Sequence, residues 1–339
     1  MGSRSTNIKQ HYVPQFYLRN FLDIKGKIFV FDINRENNYS TIPKKECYVK
    51  FLYDIDPNLL KKFSHHENNY TEIIDDKIRI LNEEVSAILL KNIGDTVKFE
   101  KGFEYHENER EKLYNFIILQ NFRTPYYRNR LDYLGVSFTL KTEIKDLQDK
   151  EFLDLIHNLL LYGLIEKIYD LDFKLNQTYH IFFDHLINEI LDFKIQLYNA
   201  GEIILLNKTT EKFITSNSPI NVRWKPDLYA YHRALVTMPG KNKPVIDLGN
   251  YLKFLTIHLP ISKEVSIFLF DKKYNKNLTL MHRGIGIIQD YNKDLALNLN
   301  YSTFLRSTEK VFSANDNFEK FIEMKNNKIN PVLNFRFEA

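Results

Sequence analysis

Hydrophobic positions in the first 190 residues of the chain recur at the three- and four-residue spacing that is typical of amphipathic helices. The clearest case is the segment 67–91, where isoleucine, leucine and valine return once per turn and the helix should end near Gly94. The same spacing predicts further helices at 107–133, 150–168 and 175–191. The first half of the chain is therefore predicted to be mostly helical.

From residue 192 onward the hydrophobic period shortens toward two, which is typical of strands. The first three predicted strands, expected to form a meander around Gly201, are 193–198, 202–207 and 213–215. A second pair, joined by a tight turn at Pro260, is predicted at 253–259 and 265–270.

The remaining segments give shorter signals. A proline-led helix to about Leu22 is predicted, followed by a strand at 27–32 and a polar turn at 34–40. Residues 226–248 have no clear period and read as a loop, and the last predicted helices are 291–305 and 317–326.

These elements predict an α+β fold, with a helical N-terminal half packed with a mostly antiparallel sheet in the C-terminal half, and helices at the C-terminus. We expect one domain over 1–339, because the chain has no internal repeat, low-complexity tail or Gly/Ser linker. Its predicted subregions are 1–66 with the N-terminal motif and short strands, 67–191 helical, 192–289 mostly strands and loops, and 290–339 helical.

Composition limits the classes of partner. Lys and Arg total 47 against 43 Asp and Glu, a net charge of +4 that is too small to indicate nucleic-acid binding by bulk charge. Any phosphate-binding site must therefore be local. With 44% apolar residues, the chain can fill a substantial core.

The cellular compartment of the protein is indicated by its number of cysteines and by the length of its apolar stretches. Cys47 is the only cysteine, which excludes intrachain disulfides and favours a reducing compartment. No apolar stretch approaches the roughly 18 residues of a membrane span, and the first residues show no signal-peptide pattern. We expect a cytoplasmic protein without a membrane partner.

The first candidate motif is the segment 9–21, which places His11, Gln15 and Arg19 around Pro14. Proline suits the first turn of a helix, and free N–H groups at a helix start attract anions such as phosphate. The alternative is a core helix beside which His11 is a solvated or capping residue.

The second candidate motif lies on the 107–133 helix, where Gln120 and Arg123 interrupt an apolar face. Buried amides and guanidinium groups need partners. One interpretation is a core brace, in which Gln120 holds backbone groups of the N-terminal segment and Arg123 pairs with a carboxylate such as Glu109, Asp132 or a distant one.

The other interpretation of this motif is an anion site. Arg123, Arg128 and Arg130 alternate with tyrosines in the manner that suits phosphates and stacked bases. Pro125 should interrupt the helix at this point.

The third candidate motif is the loop 213–219, which is rich in short hydroxyl and amide side chains. Such residues form local turns and caps, or they donate hydrogen bonds to a phosphate or sugar. Ser216 is disfavoured as an acyl-transfer nucleophile, because no G-x-S-x-G elbow surrounds it.

Metal and nucleotide cofactors have little support in the sequence. His65-His66-Glu67, His180 and Asp184-His185 lack the H-E-x-x-H spacing, and Asp192-Phe193-Lys194 on a predicted strand only weakly resembles the carboxylate-lysine pattern of magnesium nucleases. No P-loop and no G-x-G-x-x-G is present. We therefore expect neither a metal nor a cofactor.

The three motifs together resemble those of a bacterial family known as domain of unknown function 4238. His11 to Phe21 is similar to its H-x-x-P-x-x-x-L-x-x-F opening, Gln120 to Pro125 to its Q-x-x-R-T-P, and Phe213 to Pro219 to its F-x-T-S-D-x-P. Asn217 stands where the family usually carries Asp, so a role that needs a carboxylate is not implied here. The resemblance implies a cytoplasmic protein of bacteria and their mobile elements, with some relatives associated with defence against phage, and it implies no particular chemistry.

The hypothesis that follows is an anti-phage defence effector that acts on nucleic acid or a nucleotide as a metal-independent ribonuclease or phosphodiesterase. The predicted catalytic residues are His11, Gln120 and Arg123. The predicted substrate-binding residues are Gln15, Arg19, Arg128, Ser216 and Asn217. The alternatives are a non-enzymatic sensor that recognises a phage component or nucleotide through the same pocket, and a purely structural role for all three motifs.

Overall fold

The protein is represented by a computed structural model that describes residues 9–50, 52, 70–125, 127–128, 149–169, 187, 190, 192–224, 254–272 and 284–331. The predicted loop 226–248 and nearly all of the predicted helix 175–191 lie outside these residues. So do His65, His66, His180, Asp184 and His185.

Helices form the larger part of the described fold, and seven are used below. They are α1 (Gln15–Arg19), α2 (Tyr70–Phe99), α3 (Glu107–Phe122), α4 (Asp149–Tyr169), α5 (192–199), α6 (Lys293–Arg306) and α7 (Glu319–Asn326).

Strands contribute three sheets. The strands are β1 (Lys9–His11), β2 (Ile28–Asp32), β3 (Asn37–Thr41), β4 (Tyr48–Lys50), β5 (Gly201–Asn207), β6 (Thr215–Ser216), β7 (Asn221–Trp224), β8 (Phe254–Pro260), β9 (Val265–Phe270), β10 (Ile285–Ile288) and β11 (Lys310–Ser313). Their orders are β1-β4, β10-β5-β9-β8-β7 and β3-β2-β11-β6, and every described pair is antiparallel except β10 with β5. The predicted α+β class is confirmed.

The five-stranded sheet is buried on both faces. Alternate residues such as Ile204 and Leu206 of β5 join the core formed with α1, α2, α3 and α4. Their neighbours Ile203 and Leu205 point to the opposite face and pack with Leu299 of α6. The five-stranded sheet therefore lies between the N-terminal helices on one face and α6 on the other.

The strand predicted at 193–198 is wrong, because these residues lie in α5. Phe193 and Leu197 are buried one turn apart, whereas Ile195 is 59% exposed. A chance alternation of three apolar residues imitated a strand, but burial follows the i, i+4 helical spacing. The carboxylate-lysine pattern at 192–194 is consequently on a helix.

The predicted meander is also wrong. β5 pairs with β9 and β10, whereas β6 lies in the other sheet beside β11. The predicted polar turn at 34–40 ends early, because its second half forms β3 against β2. The two errors have different causes. The partner of β6 is distant in sequence, so no local pattern reveals the pairing, whereas β3 pairs with the neighbouring β2 but consists mostly of polar residues that resemble a turn.

Other predictions hold with shifted ends. The helix predicted to close near Gly94 continues to Phe99, and α1 ends at Arg19 rather than Leu22. Asn20 is the C-cap of α1, and its side-chain amide donates to the Ile261 carbonyl at 2.9 Å. The strands predicted at 27–32 and 202–207, the 253–270 hairpin and the helices at 150–168, 291–305 and 317–326 are confirmed to within a few residues.

His258 of β8 is a buried histidine on the α6 side of this sheet. Among the residues that the structure describes, neither ring nitrogen has a hydrogen-bond partner, and the ring meets Phe213 edge-on at 5.8 Å. Burial lowers the pKa of His258 to about 3. The ring is therefore neutral in the folded protein, whereas an unfolded chain takes up a proton below about pH 6.5.

We expect the free energy of unfolding to fall as the pH drops from 6.5 toward 4, by about 1.4 kcal/mol per pH unit for this histidine. The unfolded state binds the additional proton, so acid favours it. His258→Phe fills a similar volume without a titrating group and should lose less stability between pH 7 and pH 5 than the wild type in urea titrations. Equal losses in both proteins would contradict this assignment.

Candidate functional site

The first motif is built on a two-stranded ribbon formed by β1 and β4. Tyr12 continues the pairing by donating its N–H to the Cys47 carbonyl at 2.9 Å, and Cys47 adopts a positive φ of 51° at this bend. Pro14 is the N-cap of α1, with φ −62° and ψ 143°, and so precedes the first turn instead of lying within it. His11 is thereby held at the end of β1, one short loop from the helix.

The His11 ring is half-buried and has a defined set of neighbours. Its Nε2 lies 3.0 Å from Nε2 of Gln15. Because an amide nitrogen donates, the neutral imidazole accepts at Nε2 and carries its proton on Nδ1. The Tyr48 ring lies 5.6 Å away on the opposite strand.

The charge state of His11 follows from this environment. Burial lowers its pKa below the usual 6.5, the Glu46 backbone carbonyl opposes this by hydrogen bonding, and the charges of Arg123 and Lys9 lower the pKa further. His11 is therefore a neutral base at pH 7, placed within the field of a fixed guanidinium.

The second motif is hydrogen-bonded to the backbone of the segment that carries His11. Gln120 is fully buried and donates from Nε2 to the Tyr12 carbonyl at 2.9 Å. Its Oε1 accepts hydrogen bonds from both Nε and Nη2 of Arg123, the first at 2.9 Å. Arg123 is 2% exposed and lies over the Phe116 ring at 5.9 Å. The first two motifs therefore meet at the residue that follows His11.

The end of α3 is fixed by a second histidine. His157 of α4 lies 2.8 Å from the Phe122 carbonyl through its Nε2, and Arg123 is the C-cap of the helix. Burial lowers the pKa of His157 to about 4, although the hydrogen bond to Phe122 opposes the shift. This neutral ring acts as a structural donor that holds the segment carrying Arg123.

The third motif contacts the same region through α1 and β11. Tyr17 of α1 and Thr215 share a hydroxyl hydrogen bond of 2.9 Å. Asn217 accepts the N–H groups of Glu309 and Lys310 at 3.3 Å and donates to the Thr308 hydroxyl at 2.8 Å. The Asn217 side chain thus anchors the start of β11.

The Ser216 side chain is hydrogen-bonded within its own loop. Its hydroxyl donates to the Ser218 carbonyl at 2.8 Å and accepts from the Ser218 N–H at 3.1 Å. This is the turn-forming geometry that short hydroxyl side chains adopt in loops. A ligand contact by Ser216 or Asn217 stays a prediction.

Lys310 connects the third motif to His11. Its backbone is held by Asn217, and its ammonium group donates to the carboxylate of Glu46 at 2.8 Å. Burial disfavours the charge of Lys310, but its bonds to Glu46 and Tyr39 outweigh this and raise the pKa. Glu46 is the residue whose backbone carbonyl acts on the His11 ring. The third motif is thus linked through Lys310 to the residue whose backbone acts on His11.

The remaining predicted residues show no contact with His11 among the contacts that the structure describes. Arg128 pairs with Asp154 of α4 at 2.5 Å. Arg19 is exposed at the end of α1. Glu109, considered as a partner of Arg123, instead accepts the His106 N–H at the start of α3, which corrects that pairing. Asp132 and Arg130 are outside the described residues.

Sequence reasoning missed four residues around His11. Lys9, Tyr48 and Lys50 belong to the ribbon, and Glu46 precedes it. The alternation of Lys9 with His11 and of Tyr48 with Lys50 was the available signal, but strands of three residues are too short to stand out from background.

No group of three or more His, Cys, Asp or Glu side chains that could hold a metal ion occurs among the residues that the structure describes. Asp192 and Lys194, which suggested a magnesium nuclease pattern, lie on α5, and Lys194 pairs with Glu111 at 2.7 Å. In the described part of the chain, no helix has the length and apolarity needed to cross a bilayer.

Comparison with known families gives one result. The model of the family described as "Protein of unknown function (DUF4238)" matches residues 9–317, which cover all three motifs. Comparison with curated proteins and with solved structures returned no match.

Proposed function

Because the chain belongs to the DUF4238 family, for which no function is known, its chemistry must be inferred from the site, and we propose a metal-independent ribonuclease centred on His11. The observation that carries the proposal is a half-buried, neutral imidazole whose Nε2 accepts a hydrogen bond from the Gln15 amide and whose neighbourhood includes a buried guanidinium.

The proposed role of His11 is general base. RNA carries its own nucleophile, so Nε2 of His11 would accept the 2′-hydroxyl proton as the 2′-oxygen forms a bond to phosphorus. The bond from phosphorus to the 5′-oxygen breaks, the leaving oxygen takes a proton from solvent, and a 2′,3′-cyclic phosphate remains. His11 then returns its proton to solvent. A substrate hydroxyl would first displace the Gln15 amide, which is then available to the phosphate.

Arg123 contributes through its charge in this proposal. It is nearly enclosed and bonded to Gln120, so it lowers the pKa of His11 and favours negative charge nearby without leaving the core. Gln120, for its part, positions the Tyr12 backbone. These are positioning roles, and direct contact of Gln120 or Arg123 with the transition state stays a prediction.

The setting we propose is anti-phage defence in the bacterial cytoplasm. Its support is the resemblance of the three motifs to DUF4238 proteins, some of which are associated with defence. A plaque assay with cells that express the wild type or His11→Gln, at equal protein levels, tests this part separately from the chemistry.

We predict that the purified protein cleaves single-stranded RNA equally well with and without EDTA, and leaves a 2′,3′-cyclic phosphate. A DNA strand of the same sequence should stay intact, because it lacks the 2′-hydroxyl. Mass spectrometry of the products reads the terminus directly. Cleavage that stops on chelation, or that also cuts DNA, would contradict the mechanism.

A non-enzymatic sensor is the second candidate. It is favoured by the fact that Gln120, Arg123, Ser216 and Asn217 all have protein partners, an arrangement that suits a rigid binding scaffold. Tight binding of a nucleotide or oligonucleotide with no turnover in long incubations would favour the sensor over the ribonuclease.

A further inference from the structure

The ribbon of β1 and β4 presents one face on which four functional side chains are grouped. Lys9 lies opposite Lys50, and His11 lies opposite Tyr48. Directly opposed residues in an antiparallel pair share a face, and side chains alternate along each strand. Lys9, His11, Tyr48 and Lys50 therefore form one surface, which we call the ribbon face.

The opposite side of the ribbon carries Gln10, which is buried, and Val49, which is 38% exposed. Gln10, which alternates with Lys9 and His11, is 2% exposed and donates to Asp75 of α2 at 3.0 Å. Both Lys9 and Lys50 are exposed. The ribbon face is consequently turned outward, with His11 at its inner end.

The chain concentrates its excess positive charge in this region. Residues 9–50 contain eight Lys and Arg against four Asp and Glu, an excess equal to the +4 of the whole chain. Lys44 and Lys45, also exposed, lie in the 3₁₀ turn just before β4. Half of these cations, Lys9, Lys44, Lys45 and Lys50, lie on the ribbon or in the turn before β4, and such a local group of positive charges attracts polyanions.

In the part of the chain that the structure describes, no acidic side chain pairs with Lys9, Lys44, Lys45 or Lys50. Elsewhere in it, lysines such as Lys112, Lys208 and Lys310 are each bound to a glutamate. The ammonium group of Lys9 instead lies 4.6 Å from the centre of the Tyr48 ring. Their charges are therefore available to an external anion.

Tyr48 makes the ribbon face more specific than a basic patch. Its ring is half-buried, flanked by Lys9 and His11, and an aromatic ring beside lysines is the arrangement on which nucleic-acid bases stack. Bases inside a duplex are already stacked and paired. Only an unpaired base can reach the ring.

We propose that the ribbon face binds single-stranded nucleic acid, with Lys9 and Lys50 on the phosphates and a base on Tyr48. The inference rests on the proposed function only in one respect, that the bound phosphodiester then lies beside His11. Binding itself does not depend on cleavage.

The test uses the full chain and a fluorescein-labelled oligothymidylate, which has no 2′-hydroxyl, in anisotropy titrations over a range of salt concentrations. The double variant Lys9→Gln/Lys50→Gln should weaken binding at least about tenfold and lower the slope of log affinity against log salt by about 0.7 per lysine. Tyr48→Leu should weaken binding about tenfold with a smaller change in slope. The same titration with labelled oligouridylate and the His11→Gln variant measures RNA binding without cleavage.

The matched control is Lys91→Gln/Lys325→Gln, which removes the same charge from exposed positions on α2 and α7. It should bind like the wild type. Unchanged binding by the ribbon variants, preference for a duplex, or no binding by the wild type would overturn the inference. If the ribbon variants lose binding but the wild type never cleaves RNA, this inference is supported and the ribonuclease is rejected. If the wild type cleaves RNA but the ribbon variants bind normally, the ribonuclease is supported and this inference is rejected.

Discussion

Replacement of His11 by Gln should lower the rate of RNA cleavage by about 10² to 10⁴. Glutamine can still accept a hydrogen bond from Gln15, but it cannot take up a proton near pH 7. Because the ring is only half-buried, the free energy of unfolding should change by no more than about 1 kcal/mol. Single-turnover cleavage and urea titration on the same preparation measure both quantities.

The matched control is His106→Gln, which removes an exposed histidine from the start of α3. It should cleave like the wild type. Full activity of His11→Gln, or a loss of activity that only follows its folded fraction, would exclude the catalytic role and favour the scaffold interpretation of the first motif.

Replacement of Gln120 by Leu should lower the free energy of unfolding by about 3 to 5 kcal/mol. The change removes the oxygen that accepts two N–H groups of Arg123 and the donor that satisfies the Tyr12 carbonyl. A buried guanidinium and a buried carbonyl then lose partners together, which is far more costly than the loss of one exposed bond. Urea titration of the purified variant provides the value.

Asn115→Leu is the control for this substitution. Asn115 is a buried amide on the same helix, and its Oδ1 has no hydrogen-bond partner within the described part of the chain. A leucine there should therefore change stability by no more than about 1 kcal/mol. Arg123→Lys keeps the charge, but its single nitrogen cannot reproduce the planar fork by which Nε and Nη2 both donate to Gln120, so its stability should lie between those of wild type and Gln120→Leu. Equal stability of Gln120→Leu and Asn115→Leu would contradict the brace.

The sequence indicated much of the fold because local periodicity is strong in the long helices and in the 253–270 hairpin. It failed where local and tertiary signals diverge. Apolar residues at 193, 195 and 197 fit both a strand and a helix, and only packing of Phe193 and Leu197 against the core decides between them. β11 joins β2 to β6 across most of the chain, so no local pattern could reveal it.

Some contacts of the candidate site could be predicted from the sequence and others could not. The interruption of an apolar helix face by Gln120 and Arg123 correctly indicated a buried polar pair that holds the N-terminal segment. The link from Asn217 through Lys310 to Glu46 was not predictable, because each contact joins residues far apart in sequence. Both ends of the Asn217 amide have partners in this chain: its nitrogen donates to the Thr308 hydroxyl, and its oxygen accepts two backbone N–H groups.

The central claim is that a phosphodiester substrate lies against His11, and cross-linking tests it most directly. A single-stranded RNA that carries 4-thiouridine would be irradiated with the full-length His11→Gln protein, so that binding occurs without cleavage, and the adducts located by peptide mass spectrometry. We predict adducts within residues 9–19 and 44–50, with Tyr48 foremost. Adducts confined to other segments, or no adduct with an RNA that the wild type cleaves, would contradict the account.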